Sequence, residues 1–147
     1  MILVFDMDGT LANFYGVSGW LEDLRAENPR PYEIADPLYS MEELNTLLLK
    51  LKAKGVRIIV TSWLAKGSSR DFDTKVRAAK KEWLKRYQFP YDEIHLVQYG
   101  TTKADCTRHY QDYQILVDDN KKVRQGWHLG ATIDANQNIM TALAELL

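Results

Sequence analysis

The sequence predicts a doubly wound α/β fold built on a five-stranded parallel sheet. Five short apolar runs, rich in β-branched residues, alternate with segments of helical periodicity. The runs are apolar on both faces, as strands covered by helices on both sides must be. The first four are each followed, within a few residues, by acids, hydroxyls or a lysine. In open parallel sheets that edge, the carboxyl ends of the strands, is where ligands bind.

The predicted strands are Ile2 to Phe5, Val56 to Val60, Ile94 to Val97, Ile115 to Val117 and Ala131 to Ile133. After the first strand, Ser40-Met41-Glu42-Glu43 is a capping box, and Leu44, Leu47, Leu48 and Leu51 follow at helical spacing until Gly55 stops the helix. From Arg70 to Tyr87, residues Phe72, Val76, Ala79, Trp83 and Tyr87 share one face, which makes a second amphipathic helix. Its basic residues, Lys75, Lys80, Lys81, Lys85 and Arg86, fall mostly elsewhere and read as a solvated face, or as a guide for a polynucleotide strand. Weaker helices are expected from near Thr102, over Lys121 to Trp127, and over Ile139 to Leu147.

Residues 12–40 break this rhythm. They contain Gly16, Gly19, Pro29, Pro31 and Pro37 and are too long for an ordinary βα connection, so a small cap over the sheet edge is expected. Its aromatic residues, Phe14, Tyr15, Trp20, Tyr32 and Tyr39, either line a ligand pocket or dock the insertion onto the body.

A chain of 147 residues fits a single domain spanning 1–147. With 46% hydrophobic and 27% charged residues, neither a disordered nor a membrane class is indicated. The net charge of -1 supplies no global field for stable nucleic-acid binding. One cysteine, Cys106, cannot form an intrachain disulfide and reads as structural. Met1 to Phe5 has no basic n-region and is too short for a signal peptide, so the cytoplasm is the expected location.

The chemistry gathers at the strand ends. Asp6 and Asp8 in Asp6-Met7-Asp8-Gly9-Thr10 sit two apart on an extended chain and point to the same side. Carboxylates so close repel unless a cation or a shared proton intervenes, which points to bound Mg²⁺ or to divided acid and nucleophile roles. Gly9 lets backbone amides approach an anion. From average residue usage the four fixed positions of this motif arise by chance in roughly one chain in a thousand. Thr61-Ser62 brings two hydroxyls to the second strand end, although such a pair also serves as a helix cap. Lys103, at an expected helix start, calls for a nearby anion such as phosphate to offset the helix dipole. Asp118-Asp119 delivers paired acids suited to Mg²⁺, with Asp119 also a candidate cap for the next helix.

In order, Asp6-Met7-Asp8-Gly9-Thr10-Leu11, Thr61-Ser62, Lys103 and Asp118-Asp119 resemble the four motifs of haloacid dehalogenase-like phosphohydrolases, over essentially the whole chain. The resemblance implies a Rossmann-like sheet with a small cap and a Mg²⁺-dependent phosphatase that works through an aspartyl-phosphate. On that pattern Asp6 attacks phosphorus, Asp8 is acid and base, and Thr61 and Lys103 bind the phosphoryl group beside Gly9 and Ser62. Asp6, Asp118, Asp119 and the Asp8 main-chain carbonyl would hold the metal. The acid at position 8 is absent from the dehalogenase branch, so the resemblance is to the phosphatases.

Within them the chain is most similar to the 5′(3′)-deoxyribonucleotidase group, which acts on nucleoside monophosphates. Phe14, Trp20 and Trp63 are then expected against the substrate, and Trp63 stands where that group more often has proline. Polynucleotide ends or sugar phosphates are alternative substrates. A non-catalytic binding module on the same fold is a further alternative, against which the intact motifs speak.

Overall fold

The computed structural model describes residues 1–147. Five strands, β1 (Ile2–Phe5), β2 (Arg57–Trp63), β3 (Glu93–Val97), β4 (Gln114–Asp118) and β5 (Gly130–Asp134), form one sheet in the order β3-β2-β1-β4-β5. Every neighbouring pair is parallel. The helices are α1 (Trp20–Arg25), α2 (Arg30–Ile34), α3 (Met41–Ala53), α4 (Arg70–Arg86), α5 (Lys121–Gln125) and α6 (Ile139–Ala144). None is long and apolar enough to cross a membrane.

The two faces of the sheet follow from strand alternation. Leu3, Phe5, Ile58, Val60, Ile115 and Val117 point to one face, where they meet Leu44, Leu48 and Leu51 of α3, Ile139 and Leu143 of α6, and Trp83 and Leu84 of α4. Ile2, Val4, Ile59 and Leu116 point to the other, against Ala104 and Trp127. The central strands β1 and β4 are buried throughout. The edge strands β3 and β5 are only partly covered and β2 is exposed at Arg57, so full burial, expected of all five runs, holds for β1 and β4.

Helix ends match their local chemistry. Ser40 Oγ accepts from the Glu43 amide at 3.3 Å, the cap half of the predicted box, and Gly55 ends the following turn at φ 95°. Ser69 caps α4 by accepting from the Phe72 amide at 3.2 Å. The helix expected from Thr102 is instead a four-residue 3-10 turn, Lys103–Cys106, and Thr102 makes no side-chain cap. Asn120, not Asp119, caps α5, accepting from the amides of Lys122 and Val123.

Residues 12–40 carry a 3-10 turn at Phe14–Gly16 together with α1 and α2. The insertion leaves and rejoins the body through a paired neck, in which Asn13 donates to Asp36 O at 2.7 Å and Leu38 to Leu11 O at 2.8 Å. It packs on α4: the Trp83 indole donates to Ala35 O at 2.7 Å and Arg86 to Glu33 O at 2.8 Å. Glu27 accepts from the Ser69 amide and hydroxyl at 2.8 and 2.7 Å. These contacts seat the insertion at the same edge of the sheet as the ends of β1 and β2.

Candidate active site

The strand order reverses between β1 and β4, since the chain leaves β1 toward β2 and leaves β4 toward β5. Parallel sheets open a crevice at such a reversal. Asp6 extends β1 by donating its amide to Val117 O at 3.0 Å, and Met7 turns down into the core. Asp6 and Asp8, on either side of it, therefore face the crevice. The backbone then tightens: the amides of Thr10, Leu11 and Ala12 all converge on Met7 O.

Gly9 sits at φ 81°, and a Cβ there would overlap Asp119 Oδ2. Its own amide donates to Ala12 O at 2.8 Å. The positive φ of the turn and the close approach of Asp119 both require glycine here. Thr10, fully buried, holds the two strand ends together: its hydroxyl lies 3.2 Å from Asp6 Oδ2 and 3.3 Å from Asp119 Oδ1, and accepts from the Asp119 amide at 3.2 Å.

Lys103 is 4% exposed and bridges two acids, donating to Asp6 Oδ1 at 2.9 Å and Asp118 Oδ2 at 2.7 Å. The anion expected beside it is supplied within the protein by these two carboxylates. A lysine ammonium has three donors, so one remains for a further oxygen. The other carboxyl oxygen of Asp118 accepts from the Asn120 amide at 2.9 Å.

The lysine that sequence reading left on the solvated face, Lys80, is 1% exposed. It donates to Asp8 Oδ2 at 3.0 Å, Ser62 Oγ at 2.7 Å and Trp63 O at 2.8 Å. A signal was present: Lys80 is four residues after Val76 and three before Trp83, within the buried stripe of α4.

Thr61 is buried, its hydroxyl has no hydrogen-bond partner, and it does not line the cavity into which Asp6 and Asp8 open; Ser62 and Trp63 do. That cavity encloses about 390 Å³. Asp6, Asp8, Lys103 and Asp118 line its polar end. Phe14, Tyr15, Trp20 and Tyr32 line it from the insertion, and Trp63 and Tyr99 from the β2 and β3 ends. Phe14 packs 4.5 Å from Tyr32 and 5.5 Å from Trp20, so these rings both dock the insertion and wall the cavity. The Trp63 indole donates to Thr101 O at 2.8 Å and lies 4.9 Å from the Tyr99 ring, with the Lys103 ammonium 5.4 Å from its centroid.

The two motif acids are shifted in opposite directions. Burial pushes Asp6 upward, but the charge and hydrogen bond of Lys103 outweigh it and hold the carboxyl below its ordinary range. Burial dominates at Asp8 and, with the Asp6 charge, raises it against the pull of Lys80. Burial and the negative charge of Asp6 push Asp118 up, and push Asp119 up to about 8. Asp6, Asp118 and Asp119 each offer a carboxylate oxygen within 4.8 Å of the others. That donor set suits a hard divalent cation, whose charge would relieve the raised Asp119.

No protein-family model matches the chain, and no curated protein matches it. Among solved structures it is similar to D,D-heptose 1,7-bisphosphate phosphatase from Burkholderia thailandensis, at a TM-score of 0.50 and 17% identity, over 97% of this chain and 73% of that one. At that identity what the two share is the fold, a Rossmann-like parallel α/β sheet flanked by helices.

Proposed function

We propose that the chain is a Mg²⁺-dependent phosphomonoesterase in which Asp6 is the nucleophile, residues 12–40 act as the cap, and the substrate is a nucleoside monophosphate. The observation that carries the reading is the bridge from Lys103 to Asp6 and Asp118 at 2.9 and 2.7 Å, which leaves one ammonium donor free beside the nucleophile. An Asp6 carboxylate oxygen bonds to phosphorus as the bond to the leaving oxygen breaks, and the Asp8 carboxyl gives that oxygen its proton. Water then bonds to phosphorus while Asp8 takes its proton. The Asp6–phosphorus bond breaks, restoring the Asp6 carboxylate and releasing inorganic phosphate.

A carboxylate attacking an anionic ester needs the charge neutralised, and Lys103 supplies part of this. Asp6, Asp118 and Asp119 are the residues to hold Mg²⁺, which when bound neutralises charge on the transferring oxygens. Ser62, which lines the cavity where Thr61 does not, is the hydroxyl to meet the phosphoryl group.

The cavity volume lies within the range of small-ligand clefts, and rings on opposing sides suit a planar base. The solved neighbour is by its title a phosphatase of a heptose bisphosphate, which keeps sugar phosphates as the second substrate class to test. The test is phosphate release from nucleoside monophosphates, sugar phosphates and 3′-phosphorylated oligonucleotides, with Mg²⁺ and then with EDTA. Release should be fastest from the nucleotides, stop in EDTA and return with Mg²⁺. Sugar phosphates as the better substrates would move the assignment to them, and undiminished release in EDTA would remove the metal.

A further inference from the structure

We propose that Lys80 is a positioning residue for proton transfer: it fixes one oxygen of Asp8, so that Oδ1 exchanges the proton, and it turns the Ser62 hydroxyl into a donor toward the phosphoryl group. This rests on the phosphatase reading. The exposed lysines of α4, Lys75, Lys81 and Lys85, need no partners, but an ammonium sealed inside the protein does. Lys80 has three, at Asp8 Oδ2, Ser62 Oγ and Trp63 O, all within 3.0 Å. They use all of its donors. No proton is left for a substrate oxygen, which separates Lys80 from Lys103 with its one unused donor.

The consequences for the two partners follow from donor and acceptor rules. An ammonium only donates, so Ser62 Oγ must accept from it and keeps its own proton to give. Ser62 lines the cavity and donates to no other protein group. Asp8 has its Oδ2 held by Lys80, while Oδ1 has no protein partner. Oδ1 is the oxygen available to protonate the leaving group as its bond to phosphorus breaks. The Tyr32 ring, with its centroid 5.3 Å from the ammonium, covers Lys80 from the cap side.

The experiment compares kcat/KM of the full chain and of Lys80→Met on an alkyl phosphate, whose leaving oxygen needs a proton, and on p-nitrophenyl phosphate, whose leaving group departs without one. The alkyl value should fall about a hundredfold, the scale of a lost acid, and the aryl value less than about tenfold. In an Asp8→Asn background, Lys80→Met should change the ratio of the two by less than about threefold. Should the methionine variant not fold, Lys80→Gln, which keeps hydrogen-bond donors without the charge, is read the same way, with an intermediate split expected. Equal losses on both esters overturn the proposal and leave the phosphatase reading standing. A wild-type chain that hydrolyses neither ester overturns both.

Discussion

Asp6 and Asp8 are chemically identical and two residues apart, yet each faces its own lysine. Lys103 holds Asp6 below its ordinary range, while burial and the neighbouring charge raise Asp8 despite Lys80. Opposite shifts of one residue type through environment are what the proposed division into nucleophile and acid requires. Asp6→Asn should keep the shape of the side chain and lose the nucleophile, so phosphate release should fall below about one per cent of wild type. Higher residual turnover in a steady-state assay would remove the covalent role. Asp8→Asn should be nearly as slow, and any phosphoenzyme that forms should persist for want of a base to activate water, which intact-protein mass spectrometry reads directly.

In the function proposed above, substrate choice is assigned to the insertion, whose rings line the cavity. Its neck is paired to the body, and α2 rests on α4 through Trp83 and Arg86, so the rings it presents to the cavity are held from both ends. Trp20→Ala should cost about tenfold to a hundredfold in kcat/KM for nucleotides relative to p-nitrophenyl phosphate, the scale of a lost base-stacking ring. Equal losses on the two would make the insertion a cover with no part in selection. The same element is clamped at its far end by Glu27. Its hydrogen bonds from the Ser69 amide and hydroxyl hold it below its ordinary value of 4.5. A lowered acid stabilises the folded contact above its unfolded value and loses that contribution as the pH falls through the lowered one. An NMR titration of the Ser69 amide should therefore have its midpoint below 4.5, and a midpoint at or above that value would count against the clamp.

At the scale of the molecule, Trp83 joins the parts. It is fully buried, packs with the sheet face that carries Phe5, and donates to the insertion at Ala35 O. Trp83→Ala should lower unfolding stability by about 3–5 kcal/mol, as truncation of a large core aromatic does. Urea denaturation measures this. A loss under about 1 kcal/mol would mean that core and insertion are joined elsewhere. The parallel order β3-β2-β1-β4-β5 puts the two acid-bearing strands side by side at the point of reversal, so residues more than a hundred positions apart share one crevice.

The sequence by itself determined the α/β class, the five strands, the insertion and the acids at the strand ends. Each of these is written in local signals: apolar runs, caps, and residues two apart on an extended chain. Tertiary structure alone decided the rest. Lys80 looked like its solvated neighbours because lysine usually is solvated, and only the packing of α4 against β2 brings it to Asp8 and Ser62. The segment after Thr102 shows the same limit, since its capping pattern predicts a helix but the chain makes one 3-10 turn. That short turn is what holds Lys103 between Asp6 and Asp118, where two buried carboxylates offset its charge. Periodicity reports which face of an element is apolar, whereas the partner of a buried charge lies on another element and is set only when the sheet assembles.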